Sequence, residues 1–396
     1  MGRLLTIHDL KDRHRANVPK MFFDYVDSGA YTEGTYNDNE DAFHRIKLRQ
    51  RVARNIDNRD LTTTILGKPA GLPLTLAPVG MTGMQHADGE ILAARVADRF
   101  GVPYTLSTMS ICSIEDVAAG TGKPFWFQLY VMRDRGFGAD LMARAKAAGC
   151  SALVLTLDLQ MLGQRHKDLR NDLSAPPRMT PKVLLDLARH PGWCLKMLGT
   201  KRRYFGNIVG HVKGVDDMSS LMSWTASQFD LTLDWSSIEW VKKHWDGPLI
   251  LKGIGDVDDA RIAADIGADA ITVSNHGGRQ LDGAPASIDV LPEIVDAVGD
   301  RIEIHMDGGI RSGQDVVKAL ARGAKAASIG RAYVHGLGAA GEKGVELALE
   351  IIRKELDTTM ALCGETKVTE IGPQNLWRDG ELDHGAGTPA LKAVGA

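Results

Sequence analysis

The amino-acid sequence predicts an α/β protein folded as a (β/α)8 TIM barrel, with an N-terminal helical segment and a long insertion after strand 4. Eight short apolar runs alternate with amphipathic stretches of helical period, and the 396 residues suffice for one large barrel. This alternation is typical of a parallel sheet covered by helices. A doubly wound sheet, the alternative, needs a glycine-rich fingerprint after its first strand, where this chain has LAPVGMTGM (76–84).

The elements follow from these runs in order. The predicted strands span residues 74–78, 103–107, 125–131, 152–158, 248–253, 270–277, 302–309 and 326–331. Helices are predicted at 89–100, 138–150, 256–267 and 312–323, several of them starting after a capping Asp or Ser and ending at Gly. We therefore expect a single domain with a helical segment at about 1–70, a barrel at about 71–365 and an insertion at about 170–230.

Residues 159–247, between the fourth and fifth strands, are too many for one crossover helix. They contain an apolar helical stripe beside basic side chains: the stripe is Val183, Leu184, Leu187, Trp193, Leu195 and Leu198, and the basic residues are Lys196, Lys201, Arg202 and Arg203. Such a segment is typical of a helix lying in a membrane interface. A lid packed over the barrel mouth is the alternative, and the sequence does not separate the two.

Composition narrows the class of protein. The formal net charge of -3 gives no overall attraction to nucleic acid, so we expect no nucleic-acid partner. The four cysteines are widely spaced and suggest neither disulfides nor a metal site. The N-terminus lacks a signal-peptide core, and no apolar run has the length of a membrane span. We expect a cytoplasmic protein, with peripheral contact to the inner face of the cytoplasmic membrane as the open alternative.

Polar residues follow almost every predicted strand, and the carboxyl ends of barrel strands are where active sites lie. They are Ser107, Gln128, Tyr130, Thr156, Asp158, Lys252, Ser274, His276, Arg279, Asp307, Arg311 and Arg331. One such residue, such as the His in SNHGGRQLDG (274–283), is readily explained as part of a polar turn. A polar group at so many strand ends indicates one assembled site.

The last two strands carry a phosphate signal. DGGIRSG (307–313) and SIGRA (328–332) place glycines and an arginine after strands seven and eight. Barrels commonly bind phosphate there, through loop N–H groups and a helix N-terminus. Each motif alone also occurs as a plain turn, but together they predict a phosphorylated cofactor or substrate.

These residues resemble the FMN-dependent α-hydroxy-acid dehydrogenase/oxidase family over roughly residues 5–365. The matching stretches are SNHGGRQLDG, DGGIRSGQDVVKALARGA, SIGRAYVHGL, FWFQLYV and FDYVDSGA. LRQRV, LAPVG, VMRDRGF and HWDGPLILKGI are most similar to the branch of bacterial respiratory L-lactate dehydrogenases. The resemblance implies FMN as the cofactor and a tetrameric homo-oligomer.

The resemblance also implies a role for each matching residue. His276 is the base that removes a proton from the 2-hydroxy acid, and Asp158 stabilises its protonated form. Arg279, Arg165 and Tyr25 bind the substrate carboxylate, and Tyr130 contacts the hydroxyl group. The flavin ring and ribityl chain are bound by Lys252, Ser107, Gln128, Thr156, Ser274 and the backbone of Ala77, Pro78, Val79 and Gly80; Asp307, Gly308, Gly309, Arg311, Gly330 and Arg331 hold the ribityl and phosphate end.

The expected activity is FMN-dependent oxidation of an L-2-hydroxy acid, lactate first, with electrons passed to a quinone or cytochrome. The alternatives are an oxidase that forms hydrogen peroxide and a mandelate-type dehydrogenase. Gly80 stands where many oxidases of the family have Ala, which favours a dehydrogenase. Met109 and the segment LQMLGQRHKD (159–168) depart from the lactate branch, so the side chain of the substrate stays open.

Overall fold

A computed structural model describes residues 3–171, 173, 179–212, 228 and 230–377. Three helices open the chain: α1 (Ile7–Asn17), α2 (Lys20–Val26) and α3 (Gly34–Arg45). A short hairpin follows, formed by β1 (Thr63–Ile65) and β2 (Lys68–Ala70). Its Ile65 and Ala70 pack against the first residues of the barrel strands, among them Trp126 and Ala152, and so cover the amino-terminal end of the barrel.

Eight parallel strands form the barrel, as predicted. They are β3 (Leu74–Leu76), β4 (Thr105–Ser107), β5 (Trp126–Tyr130), β6 (Ala152–Thr156), β7 (Leu249–Ile254), β8 (Ala270–Val273), β9 (Glu303–Asp307) and β10 (Ala326–Ile329). From β4 to β10 each strand pairs with the next one in the chain, and β10 pairs with β3. The Leu76 N–H donates to the Pro103 carbonyl at 2.9 Å and Leu76 bridges to Tyr104, which closes the barrel between β3 and β4.

Helices surround the barrel. Those that follow strands are α4 (Gly89–Arg99), α5 (Ile114–Thr121), α6 (Arg135–Ala147), α11 (Val257–Asp265), α12 (Ser287–Val298), α13 (Gly313–Ala321) and α14 (Arg331–Ala340), with α15 (Glu342–Leu362) at the end. Helix α10 (Ser236–His244) precedes β7. Helix α6 begins three residues before the predicted start at Gly138, because the Asp134 side chain accepts from the Phe137 N–H and caps it.

The strands are shorter than the apolar runs. The strand predicted at 270–277 ends at Val273, and the strand predicted at 302–309 ends at Asp307. Residues of positive φ follow both strand ends, namely His276 at 57° in the loop after β8 and Gly308 at 103° directly after β9. Those functional residues therefore stand in the loops just beyond the strands.

Alternation along each strand decides which side chains face the barrel interior. In β6, Leu153 and Leu155 join the large apolar cluster under the helices, while Ala152 and Val154 belong to the inner cluster. Thr156 continues the inner set in the same register. The same alternation places Gln128 and Tyr130 on the same face of β5 as Trp126, and Lys252 on the same face of β7 as Ile250. The polar side chains at the strand ends thus face the barrel interior.

The predicted insertion, about 170–230, lies partly outside the described residues. Helix α7 (His166–Arg170) ends where the predicted insertion begins, and the described part of the insertion contains α8 (Pro181–Arg189) and α9 (Pro191–Gly199). Trp193 stacks on Phe22 with ring centroids 5.1 Å apart, and its indole N–H donates to the Met84 carbonyl at 2.8 Å. Helix α9 is therefore docked on the barrel.

The apolar side chains of α8 and α9 face in two directions. Val183 and Met197 are buried, whereas Leu184, Leu185, Leu195 and Leu198 are between 52% and 71% exposed. Arg202 forms ion pairs with Asp88 at 3.0 Å and Asp116 at 2.8 Å, which tie the end of the insertion to the barrel.

Candidate active site

A cavity of about 570 Å³ opens at the carboxyl ends of the barrel strands. Most residues predicted for the site line it: Tyr25, Ala77, Pro78, Val79, Gly80, Ser107, Tyr130, Thr156, Arg165, Lys252, His276, Arg279, Asp307, Gly308, Gly309, Arg311, Gly330 and Arg331. Gln128, Asp158 and Ser274 are not among the lining residues but contact them. Ser107 donates to Gln128, His276 to Asp158 and Lys252 to Ser274.

His276 and Asp158 form the central hydrogen-bonded pair of the site. Nδ1 of His276 donates to Oδ1 of Asp158 at 2.8 Å, which leaves Nε2 as the ring nitrogen available to accept a proton. The His276 backbone is in the left-handed region, and its N–H donates to Ser274 Oγ at 3.0 Å. A β-carbon on the following Gly277 would lie 2.6 Å from Arg331 Nη1. The turn thus needs glycine beside the histidine.

Asp158 is placed by an irregularity in β7. The register between β7 and β8 shifts at Gly253, whose φ is 99°, and a β-carbon there would lie 2.6 Å from the Asp158 carboxyl carbon. Burial of Asp158 opposes ionisation, but the charge and hydrogen bond of His276 outweigh it and lower the pKa of the carboxyl. Asp158 is therefore an ionised partner for a histidine that takes up a proton.

Two arginines and a tyrosine form a second group on the same cavity. The guanidinium carbons of Arg279 and Arg165 lie 5.0 Å and 6.0 Å from the centre of the Tyr25 ring. Nη1 of Arg279 donates to the carbonyls of Tyr25 at 2.7 Å and Ser28 at 3.1 Å. Among the described residues, Nη2 and Nε of Arg279 make no hydrogen bond, so they are available to an anion.

The electrostatics of this group favour an anionic ligand. Burial, and after it the nearby charge of Arg165, lower the pKa of Arg279 to about 9. A carboxylate between the two guanidinium groups would relieve both effects. Tyr130 stands close by, and burial together with the negative charge of Asp158 raises its pKa, which keeps its hydroxyl a hydrogen-bond donor.

A small residue at position 80 shapes the space beside these groups. A β-carbon on Gly80 would lie 2.9 Å from the Tyr25 hydroxyl and 3.3 Å from the β-carbon of Met109. The glycine therefore lets Tyr25 approach the backbone of the loop after β3. Met81 and Met109 line the same region of the cavity, which gives it an apolar and adaptable wall.

Deeper in the cavity, polar atoms are buried without partners. Lys252 is 5% exposed, donates to Ser274 Oγ at 2.8 Å and pairs with Asp307 Oδ2 at 2.6 Å. In the described part of the chain, Gln128 Nε2, Thr156 Oγ1 and Asp307 Oδ1 are buried and have no hydrogen-bond partner. Unpaired buried polar atoms are costly, so this cluster is suited to a ligand with several ring donors and acceptors.

The opposite end of the cavity is positively charged. Arg331 donates to the carbonyls of Val26 at 2.9 Å and Ser28 at 2.7 Å, and Arg311 pairs with Glu40 at 2.7 Å. Gly309 has a φ of 84°, and a β-carbon there would lie 1.9 Å from the Asn39 carbonyl oxygen. Only glycine fits so close to α3. Two arginines beside glycine-rich backbone suit a phosphate group.

Several cavity residues were not predicted. They are contributed mainly by the loop after β6 and by the insertion, and include Met81, Leu162, Gln164, Asp168, Leu169, Phe205 and Gln228. Asp168 and Leu169 lie in the short helix α7, and no strand or helix period marks the other positions. Of these residues, only Asp168 could have been linked to the site from the sequence, because it follows Arg165 by three residues at the start of a helix.

Comparisons with known proteins agree with this geometry. The sequence profile of the family described as FMN-dependent dehydrogenase matches residues 14–378. An L-lactate dehydrogenase of Caulobacter vibrioides (strain NA1000 / CB15N) is 46% identical over 365 residues, 92% of this chain and 95% of the relative. One from Pseudomonas aeruginosa (strain LESB58) is 43% identical over 373 residues, 94% of this chain and 97% of the relative. The crystal structure of the monotopic membrane protein (S)-mandelate dehydrogenase superposes with a TM-score of 0.89 at 34% identity, over 95% of this chain and 100% of that one.

Proposed function

The chain belongs to the FMN-dependent dehydrogenase family, and we propose that it oxidises a small L-2-hydroxy acid, L-lactate first, to the 2-oxo acid. The observation that carries this proposal is the His276–Asp158 pair at 2.8 Å on the same cavity as Arg165 and Arg279. A 2-hydroxy acid needs both a base for its hydroxyl proton and a cationic site for its carboxylate. The cavity offers the two together.

His276 acts as the base in this proposal. Its Nε2 takes up the hydroxyl proton of the substrate, and the imidazolium that forms is stabilised by the ionised Asp158 at Nδ1. Tyr130 donates to the hydroxyl oxygen and helps to orient it. The substrate is thereby held with its proton directed at one nitrogen of a histidine whose tautomer Asp158 sets.

Arg279 and Arg165, with Tyr25, bind the carboxylate. The Nη1 edge of Arg279 is anchored on the carbonyls of Tyr25 and Ser28, so the rest of the guanidinium is held rigidly for a bidentate contact. Tyr25 stands between the two arginines and adds a hydroxyl donor. This clamp fixes the orientation of the acid relative to His276.

FMN fits the described residues at both ends of the cavity, and it supplies the acceptor for the two electrons of the oxidation. Ser107, Gln128, Thr156, Lys252 and Ser274, with the backbone of residues 77–80, would hold its ring; the unpaired atoms of Gln128 and Thr156 support this. Lys252 contributes a fixed positive charge there. The ribityl and phosphate groups would lie on Asp307, Gly308, Gly309, Arg311, Gly330 and Arg331.

The relatives named L-lactate dehydrogenase favour lactate over mandelate, since they are 43–46% identical and the mandelate dehydrogenase is 34% identical. The apolar wall of Met81, Met109, Leu162 and Phe205 would contact the substrate side chain. Flexible methionines accept a methyl group as well as a larger substituent, so mandelate is the second substrate in this proposal.

We propose a membrane quinone as the electron acceptor, with a cytochrome as the alternative. We also propose that the protein is a tetramer. No helix in the described part of the chain has the length and apolar character needed to span a bilayer. The leucines on the outer side of α8 and α9 are exposed, and the structural relative is named as a monotopic membrane protein. This face would lie on a membrane surface, where a quinone is available.

The test is an anaerobic absorbance titration of the FMN-loaded protein with L-lactate, L-mandelate and glycolate, followed by admission of air. Bleaching of the flavin band by L-lactate and slow recovery in air are expected. Fast recovery with stoichiometric peroxide would make the protein an oxidase. A flavin that none of the three acids bleaches would contradict the proposed substrate class.

A further inference from the structure

Asp168 is a buried carboxylate in the wall of the cavity to which the mechanism assigns no part. It lies in the first turn of α7, and its side chain is 16% exposed. Its Oδ2 stands 3.8 Å from Arg165 Nη1, beyond hydrogen-bond distance, and its Oδ1 is buried without a partner among the described residues. A carboxylate oxygen that is neither hydrogen-bonded nor solvated is costly, so the position of this oxygen beside the arginines calls for a reason.

Asp168 is the acidic side chain that acts on both arginines. Burial raises the pKa of Asp168, and the charges of Arg279 and Arg165 oppose this shift; the charge of Asp168 in turn favours the protonated form of Arg279. The other two carboxylates nearby are engaged elsewhere. Asp158 accepts from His276, and Asp24 accepts from Lys20 and Asn171.

We propose that Asp168 weakens the hold of Arg165 and Arg279 on anions, and so sets the affinity of the site for the 2-hydroxy acid and its 2-oxo product. This inference rests on the proposed function. The product carries the same carboxylate as the substrate, so a clamp of two uncompensated arginines would retain it. The fixed negative charge of Asp168 offsets part of their attraction and lets the product leave.

The prediction is tested by isothermal titration calorimetry of the FMN-loaded protein with pyruvate and with its neutral amide, pyruvamide. The substitution Asp168→Asn removes the charge and keeps the shape of the side chain. Pyruvate should then bind about tenfold more tightly or better, because a unit charge several ångströms away has an effect of that order at an effective dielectric constant of about 20. Pyruvamide should change less than about twofold, since it carries no charge for Asp168 to repel.

Two matched variants accompany it. Asp168→Glu restores the charge and should return the dissociation constant of pyruvate toward the wild-type value. Asp116→Asn removes a carboxylate that pairs with Arg202 at 2.8 Å outside the cavity, and should leave pyruvate binding unchanged. This variant controls for net charge and for the loss of an arginine partner.

The outcomes separate the inference from the proposed function. If Asp168→Asn binds pyruvate no better than the wild type, or more weakly, Asp168 does not oppose the anion, and the inference fails while the proposed function stands. An equal gain for pyruvamide also overturns the inference, because it indicates a change of shape rather than of charge. A wild-type protein that binds no 2-oxo acid overturns both.

Discussion

At the scale of single residues, the position of His276 depends on its backbone as much as on its partner. Its φ of 57° and the two glycines that follow turn the chain sharply after β8, so that Nδ1 meets Asp158. Few side chains adopt such a conformation, and the strain is stored at the proposed base. The glycines at 277 and 278 are therefore part of the site although they carry no functional group.

Replacement of His276 by Ala tests the base. Anaerobic reduction of the flavin by the best substrate should slow by about a thousandfold or more, which is the usual effect of losing a catalytic base and its positioning. Flavin content should not change, because the proposed flavin-binding residues stay in place. Stopped-flow absorbance measures the rate. His244→Ala, on the exposed side of α10, is the matched control; near-normal reduction in His276→Ala would refute the assigned role.

At the scale of elements, the insertion combines a docked side and an exposed side. Trp193 and Met197 attach α9 to the barrel, the Asp186 side chain of α8 accepts from the Lys20 N–H at 2.7 Å, and Phe205 reaches the cavity. The leucines on the outer side have no such partners among the described residues. The two helices therefore have a fixed position relative to the site, and their apolar side is presented outward.

Replacement of Leu184, Leu185, Leu195 and Leu198 by Ser should release the protein from membranes. Each leucine that leaves an apolar phase costs about 1.5 kcal/mol, so the loss of even two would lower the membrane binding constant on the order of a hundredfold. Sedimentation with lipid vesicles measures this. Leu281→Ser, a leucine that is 69% exposed elsewhere, is the control.

The rate of flavin reduction in the same leucine variant separates the two interpretations of the insertion. If α8 and α9 act as a membrane-binding surface, reduction by substrate stays within about twofold of the wild-type rate while binding to vesicles is lost. A variant that still binds vesicles would contradict the membrane contact. A slow reduction without any change in binding would show that these helices act as a lid.

At the scale of the whole molecule, a buried pair of histidines joins the N-terminal helix to the barrel. Nδ1 of His14 lies 3.1 Å from Nδ1 of His335, and His14 Nε2 contacts Gln85 Oε1 at 2.9 Å. Gly338 permits this packing, because a β-carbon there would lie 1.9 Å from the His14 ring. Burial lowers the pKa of His14 to about 4 and that of His335 in the same direction.

The stability of the fold should therefore fall on mild acidification. An unfolded histidine takes up a proton near pH 6.5, whereas folded His14 does so only near pH 4, so the unfolded state binds more protons between these values. The free energy of unfolding should drop by up to about 3 kcal/mol across this window and be unaffected by His14 above it. Urea titrations at pH 7, 6 and 5 measure the slope.

In His14→Gln the decrease in the free energy of unfolding between pH 7 and pH 5 should be smaller than in the wild type, because one titrating group is removed. His8→Gln, on the same helix and with a side chain that is 69% exposed, should keep the wild-type slope. Identical slopes in all three proteins would mean that His14 does not set the acid sensitivity of the fold.

The sequence by itself determined the barrel and most of the site. Strands and helices have local signals, in the alternation of apolar runs with amphipathic stretches, and the polar residues at the strand ends must converge once the barrel closes. Ser107, Thr156, Lys252 and His276 could therefore be predicted to line one cavity, and they do.

Tertiary structure alone decided what depends on contacts between distant segments. The strands end earlier than predicted, and residues of positive φ follow their ends. The register shift at Gly253 that makes room for Asp158 has no signature in the local sequence. Asp168 reaches the cavity from the first turn of the short helix α7 and Phe205 from a loop without periodicity, and the direction of the leucines on α8 and α9 follows from where Trp193 docks. Such placements arise from packing over long separations in the chain, which a pattern of neighbours does not encode.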